Sequence, residues 1–266
     1  MSHRIVRAGL AVFVMAGFAL PTALNAQDQP ERGEMAQVIQ WKVQPDQAVD
    51  FEAGIAGIVE AAKAAGLEDY RWVFWNDLYT YTLVFPVADM AYFNDPDQWM
   101  YGIMGSEGEE TLQAAFATLA PVQSSVVLNQ IVETDLSISY QPEKAAAAPP
   151  MFAHVDIATI RSGQEEAFNA IVKEFMQFFS DIGYTYEIRG HRVKLGNTDR
   201  VDFVTFFDSK ASYYGDNNMV ERAKAAGMEE KLADLGTRLN ATITDWMHFD
   251  QEPKPDMSYW PAADSE

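Results

Sequence analysis

Phe51-Glu-Ala-Gly-Ile-Ala-Gly-Ile-Val-Glu-Ala-Ala-Lys-Ala-Ala-Gly66 and Phe168-Asn-Ala-Ile-Val-Lys-Glu-Phe-Met-Gln-Phe-Phe-Ser-Asp-Ile-Gly183 are one segment occurring twice, phenylalanine on phenylalanine and glycine on glycine at an offset of 117. Working outward, Ala36-Gln-Val38 falls on Ala153-His-Val155 at the same offset. Glu109-Glu-Thr-Leu112 falls on Glu229-Glu-Lys-Leu232, and Leu119 on Leu239, at 120, so a few residues are inserted between. Asp135-Leu-Ser-Ile-Ser139 echoes Asp256-Met-Ser-Tyr-Trp260 at 121. Matched landmarks at a fixed period are the signature of an internal repeat. The boundaries that follow are a leader at 1–26, a first copy at 27–140, a Pro/Ala linker at 141–150 and a second copy at 151–266.

Each copy has the pattern βαββαβ. Gln37–Val43 and Ala153–Ile160 are strand-like and lead through Gln44-Pro-Asp46 or Arg161-Ser-Gly163 into a helix with a glycine stop. In the second copy Phe168, Ile171, Val172, Phe175, Phe178 and Phe179 recur at helical spacing, which makes a core face. Two β-rich runs follow, Tyr70–Trp75 and Leu78–Val87, matched by Tyr184–Arg189 and Arg200–Phe207. Asn76-Asp77 and Gly196–Asp199 supply the turns. A second helical region and a last strand, Ser124–Val132 or Ala241–Phe249, close each copy. Such a unit makes a four-stranded sheet with helices on one face. Its other face carries aromatics that cannot be left wet, so the two sheets are expected to cover each other.

Here the sequence resembles the dimeric α+β barrel superfamily, in particular its antibiotic-biosynthesis-monooxygenase and NIPSNAP-like members. The residues that carry the likeness are the strand, polar turn and helix start at Val43-Gln-Pro-Asp-Gln-Ala-Val-Asp-Phe51 and Ile160-Arg-Ser-Gly-Gln-Glu-Glu-Ala-Phe168. The resemblance implies two ferredoxin-like units packed sheet to sheet as an intramolecular barrel. It implies no reaction, because the fold hosts heme enzymes, cofactor-free oxygenases, isomerases and plain binders.

The chain has 266 residues, no cysteine, 39 acidic against 19 basic side chains and a formal charge of -20. Absent cysteine excludes disulfides, thiolate nucleophiles and thiolate metal sites. Few and scattered basic residues argue against nucleic acid. At the N-terminus Arg4 and Arg7 precede the apolar run Ala8–Leu20, Pro21 ends it, and Ala23-Leu-Asn-Ala26 offers a cleavage site after Ala26. That is the pattern of a secretory signal peptide, and the run is shorter than the roughly 20 residues a membrane span needs. The expected location is periplasmic or extracellular, with no membrane span in the mature chain. Loss of residues 1–26, which hold two basic and no acidic side chains, takes the charge from -20 to -22.

The mature chain has three histidines, His154, His191 and His248, all in the second copy. His154 in the first strand and His248 in the last belong to antiparallel neighbours, with Asp156 and Asp250 two residues further on. The set can serve acid–base chemistry or hold a divalent metal, but the commoner role of such residues is as hydrogen-bonded, inert polar groups on a sheet face or near a strand end. No ligand motif is present and no metal is expected. By offset the first copy has Gln37 and Leu128 in place of the two histidines, so any such site is asymmetric. A second cluster, Glu187, Arg189, His191 and Arg192, suits an anionic group at a barrel mouth or an ordinary solvated hairpin. Trp41, Trp72, Trp75, Tyr79 and Tyr81 suit the lining of a cavity for a flat hydrophobic ligand, or a sheet-to-sheet core. No cofactor motif appears, and no cofactor is expected.

Two functions follow as expectations. One is an exported small-molecule-binding or interaction protein with an aromatic-lined barrel cavity. The other is a cofactor-independent oxygenase or isomerase acting on a small aromatic substrate, with His154 or His248 as base. Fusion of two copies predicts a monomer if they close one barrel internally, and a swapped dimer if the linker lets each copy pair with another chain.

Overall fold

β1 (Met35–Val43) runs into α1 (Ala48–Ala65), and the 3.6 period of α1 sets Phe51, Val59 and Ala62 against the sheet. Gly66, at φ 61°, takes the left-handed conformation that ends α1, and its N–H bonds Ala62 O and Lys63 O. β2 (Val73–Asp77) and β3 (Thr80–Val87) form a hairpin, α2 (Gln98–Ile103) and α3 (Glu109–Leu119) follow, and β4 (Ser124–Thr134) completes the unit. The second unit repeats this with β5 (Phe152–Ile160), α4 (Glu165–Asp181), β6 (Ile188–Leu195), β7 (Arg200–Phe207), short α5 (Lys210–Tyr214) and α6 (Met219–Ala225), α7 (Glu229–Thr242) and β8 (Ile243–Pro253). The computed structural model describes residues 34–142, 150–215 and 219–261; the leader and most of the linker expected from the sequence lie outside them. Among the described residues no helix is long and apolar enough to cross a membrane.

The strands close into one antiparallel barrel in the order β1-β3-β2-β8-β5-β7-β6-β4. Each unit contributes four neighbouring strands, so the two sheets face each other across the barrel and meet at two seams. These are β2 with β8 and β4 with β6. This is the architecture implied by the resemblance. Two details differ from the expected strand limits. The first turn lies at Leu78-Tyr79, with Leu78 at φ 51°, because Asn76 and Asp77 still pair with Tyr81 and Thr80. β6 starts at Ile188, because Tyr184 and Tyr186 leave the sheet edge to pack on Phe179 and Phe207.

Alternation along the strands separates two environments. Ile39, Trp41, Val43, Phe74, Tyr81 and Phe85 point to the helices of the first unit, as Phe152, Ala158, Ile160, Val201, Phe203 and Phe207 do in the second. The opposite parity points into the barrel. There Gln40 Nε2 donates to Thr82 Oγ1 at 3.1 Å, Gln251 bonds the same hydroxyl, and Gln130 Nε2 donates to Asp202 Oδ2 at 2.7 Å. All four of Thr82, Gln130, Asp202 and Gln251 are buried, so the lumen holds satisfied polar pairs among its apolar side chains.

The helix layers differ. In the first unit a Cβ on Gly54 would stand 2.4 Å from Leu119 and one on Gly57 2.9 Å from Ala115, so α3 approaches α1 across glycine. In the second unit Ile171 and Glu174 stand at the positions of Gly54 and Gly57, and fully buried Phe168 and Phe178 fill the core beneath α4. Each such phenylalanine contributes about 1.5–3 kcal/mol by burial.

The two terminal arms cross over. Leu136–Ile138, after β4, reaches the second unit, where Ile138 and Tyr140 are buried in its core and Tyr140 pairs with Ile188. Pro255–Met257, after β8, reaches the first unit, where Met257 and Tyr259 are buried and Tyr259 pairs with Trp72. Gly190 N donates to Ser139 Oγ in one arm and Phe74 N to Ser258 Oγ in the other, both at 2.9 Å. The arms therefore match as Ser139 with Ser258 and Tyr140 with Tyr259, an offset two residues short of the one that letter matching suggests.

Candidate functional site

His154 lies on β5 with its side chain on the helix side of the sheet, the parity it shares with Phe152 and Ala158. The register sets His154 opposite Asp250 and Asp156 opposite His248. Across the chain's loop, Ser209 Oγ caps α5 by accepting from Ser212 N at 3.1 Å, and the turn drops Tyr213 onto Phe207 and Phe152. Tyr213 thereby stacks on the imidazole, ring centroids 4.4 Å apart.

The result is one hydrogen-bonded cluster. His154 Nδ1 is 2.9 Å from Asp250 Oδ1, and Nε2 is 3.0 Å from the Tyr213 hydroxyl and 3.5 Å from Asp156 Oδ1. Tyr214 OH donates to Asp250 Oδ2 at 2.5 Å and Trp246 Nε1 to Asp156 Oδ1 at 3.1 Å. Lys210 Nζ stands 3.8 Å from Asp250 Oδ2, and the His248 ring is 5.8 Å from that of His154. His154 is buried, whereas Tyr214, Trp246 and His248 are exposed and form its rim.

Burial works to lower the pKa of His154, but hydrogen bonds to Asp156 and Asp250 outweigh it and hold the imidazole above its ordinary value. Burial, then Asp156 and Asp250, push the Tyr213 phenol up to about 12. Burial opposes ionisation of Asp250, yet bonds from Tyr214 and His154 bring its pKa below the usual carboxylate range. Both shifts act in favour of the charged pair His154–Asp250. When the imidazole is protonated both ring nitrogens donate, so the Tyr213 oxygen accepts from Nε2 and its own proton can point outward. In its protonated form the imidazole is a donor or an acid, and in its neutral form it can serve as the base expected from the sequence. Among the described residues no three His, Asp or Glu side chains are arranged to hold a metal ion.

The first unit has none of this. At the positions of His154, Asp250, Asp156 and His248 the register gives Gln37, Ile131, Ile39 and Asn129. Gln37 Nε2 merely donates to Asn129 Oδ1 at 3.1 Å. Asn129, and not Leu128, is the counterpart of His248, because one residue more lies between Leu119 and β4 than between Leu239 and β8.

The other residues singled out from the sequence scatter. Trp41, Trp72 and Tyr81 are buried between sheet and helices of the first unit, with Trp72 Nε1 donating to Met257 O and Tyr81 OH to Glu52. Tyr79 is at the exposed hairpin tip. Trp75, Arg189 and His191 have lumen parity: Trp75 lies 6.0 Å from Phe206, over which the Arg189 guanidinium sits at 5.2 Å. Strand parity accounts for the split, since Trp41, Trp72 and Tyr81 fall on the opposite face from Trp75, so these five rings do not line one cavity. Arg189 is paired to Glu187, and Arg192 to Asp135. Surface clefts of about 440 Å³ beside Tyr70 and Arg71 and about 240 Å³ beside Glu52 and Lys254 lie on the first unit, away from His154. Sequence reasoning missed Lys210, Tyr213, Tyr214 and Trp246. The available signal was Tyr213-Tyr214 standing where the first copy, at an offset of 120, has Phe93-Asn94.

The buried His154 and the half-buried His191 predict opposite pH responses. His191, whose Nδ1 meets Thr134 Oγ1 at 3.2 Å, is pushed down to about 4 by burial, against the pull of Asp202 and with help from Arg189. Its stabilising neutral form is fully present above the unfolded value near pH 6.5 and is lost as pH falls toward 4. Solvent reaches part of this residue, so the loss stays below about 3 kcal/mol. His154, shifted upward, contributes below about pH 6.5 and loses that contribution as pH rises through its folded value. Urea midpoints of wild type and His191→Gln at pH 6.5 and 4.5 check the acid limb; equal losses in both proteins would remove His191 from it.

No protein-family model matches the chain, and no curated protein matches it. Solved structures do. The chain is similar to a protein provisionally named a monooxygenase from Fusobacterium nucleatum, with a TM-score of 0.54, 11% identity, and 84% of this chain and 94% of that one covered. It is also similar to an anthrone oxidase-like protein, with a TM-score of 0.50, 12% identity, and 84% and 92% covered. At such identities the likeness is one of fold, the dimeric α+β barrel with both ferredoxin-like halves in a single chain.

Proposed function

We propose that this protein is an exported binder of a small aromatic molecule, held on the outer face of the second unit against Tyr214 and Trp246. The observation that carries this is the asymmetry. Two units share one fold, yet only the second has His154, Asp156, Tyr213 and Asp250 where the first has Gln37, Ile39, Phe93 and Ile131, so the fold itself does not require the cluster. Buried charges cost several kcal/mol to desolvate, which favours a role beyond stability. Exposed aromatic rings supply a flat apolar contact, and the outward Tyr213 hydroxyl, backed by the imidazolium, supplies a donor to an oxygen of the ligand. Export rests on the leader at 1–26, and the provisional monooxygenase and the anthrone oxidase-like protein are in keeping with a small ligand.

The His154–Tyr213 contact also favours a second reading, proton transfer to bound substrate in a cofactor-independent isomerase or oxygenase. In that case His154 is the acid and Tyr213 relays its proton. Titration of a panel of hydroxylated and carbonyl-bearing aromatics, followed by tryptophan fluorescence, tests binding. Tyr213→Phe is expected to weaken affinity about five- to tenfold, the worth of one hydrogen bond, and His154→Ala more. A panel that leaves fluorescence unchanged, or variants that bind as wild type does, would overturn the proposal. Turnover of a bound compound, lost in His154→Ala, would move it to the second reading.

A further inference from the structure

The two seams of the barrel are short, and this leaves two long strand edges open at the same end of the barrel. β4 pairs β6 only through Ile131–Thr134, so residues 124–130 bond β1 on one side and no described strand on the other. β8 pairs β2 only at Glu252 and Pro253, leaving 243–251 open in the same way. An open edge presents backbone N–H and C=O groups to any strand that fits, and proteins ordinarily blunt it with charge or proline. β8 is blunted, since Asp245, His248 and Asp250 lie along its open length. β4 is not. Ser124-Ser-Val-Val-Leu-Asn-Gln130 has no charge and no proline, and Ser124, Ser125, Val126, Val127 and Asn129 are all exposed.

We infer that the β4 edge is an interface on which a second copy of this chain docks, β4 pairing antiparallel with β4 across a twofold axis. Charge selects that occupant. A chain with 39 acidic and 19 basic residues repels its own copies over most of its surface. Residues 124–130 form an uncharged edge on which two copies meet without facing carboxylates. Antiparallel pairing about a twofold is self-complementary, so one edge satisfies both copies' unpaired backbone groups. Fusion closes the barrel within one chain, which is the basis of the monomer expected from the sequence, but it leaves this edge unanswered.

Sedimentation equilibrium of the purified chain from micromolar to near-millimolar concentration is the test. Wild type is expected to reach twice the monomer mass, and Val126→Lys/Val127→Lys to remain monomeric with unchanged circular dichroism and melting temperature. Trp246→Lys, on the blunted edge, is expected to dimerise as wild type does. If the double variant misfolds, hydrogen exchange on wild type decides, with outward-facing amides of 124–130 gaining protection as concentration rises. A wild type that stays monomeric throughout, or a dimer that survives the double substitution, overturns the inference; the first outcome leaves the edge to an extended peptide of another protein.

Discussion

Tyr259→Ala is expected to cost about 3–5 kcal/mol, the range for removing a large buried aromatic ring, which is a large fraction of a domain's total stability. The residue lies in the C-terminal arm, more than 180 positions from its partners, and yet it completes the core of the first unit. Its ring packs 4.9 Å from Trp72, its hydroxyl donates to Leu67 O at 2.5 Å, and its backbone bonds Trp72 in both directions at 2.9 and 3.0 Å. Truncation to alanine leaves a cavity beside Trp72 and strands the Leu67 carbonyl. Tyr259→Phe keeps the ring and is expected to cost only about 1 kcal/mol. Urea unfolding of both variants separates the two contributions. An alanine variant within about 1 kcal/mol of wild type would show that the arm merely lies on the surface.

Gly190→Ala is expected to destabilise by about 1–3 kcal/mol, the cost of overpacking, although it adds a single methyl group. A Cβ at this position would stand 2.6 Å from the Ile138 side chain and 2.7 Å from the Ile138 carbonyl oxygen. The first unit's arm crosses β6 here, with Asp135 N donating to Gly190 O at 2.8 Å and Gly190 N to Ser139 Oγ at 2.9 Å. Relief requires the arm to lift, which would expose Ile138 and Tyr140. Combining Gly190→Ala with Ile138→Ala is not expected to restore stability, since the carbonyl remains. Recovery in the double variant would place the clash in the side chain alone and sink the argument for a backbone crossing.

These two residues also mark what repeat comparison misses. The bonds that Gly190 makes to one arm are made by Phe74 to the other. Equivalent positions therefore carry the smallest side chain and one of the larger ones, and over Gly190 the space is taken by Ile138. Alignment of letters has no access to that exchange.

The duplicated segment at Phe51 and Phe168, the period of the apolar residues and the glycine stops determined the βαββαβ unit and its repetition. Those signals are local: each depends on residues within a turn or two of one another, and local geometry alone sets which of them share a face. The sequence also placed His154 and His248 on neighbouring strands. Only the tertiary structure decided the rest. Tyr213 meets His154 because a capped turn after β7 folds back over β5. Trp41 and Trp75 part because strand parity sends one to the helices and the other to the lumen. Asn129 replaces Leu128 as the counterpart of His248 because the connection into β4 holds one residue more than the connection into β8. Register, bulges and barrel closure are settled between segments far apart in the chain, where side chains must find space and hydrogen-bond partners together. No pattern within a single segment encodes that outcome.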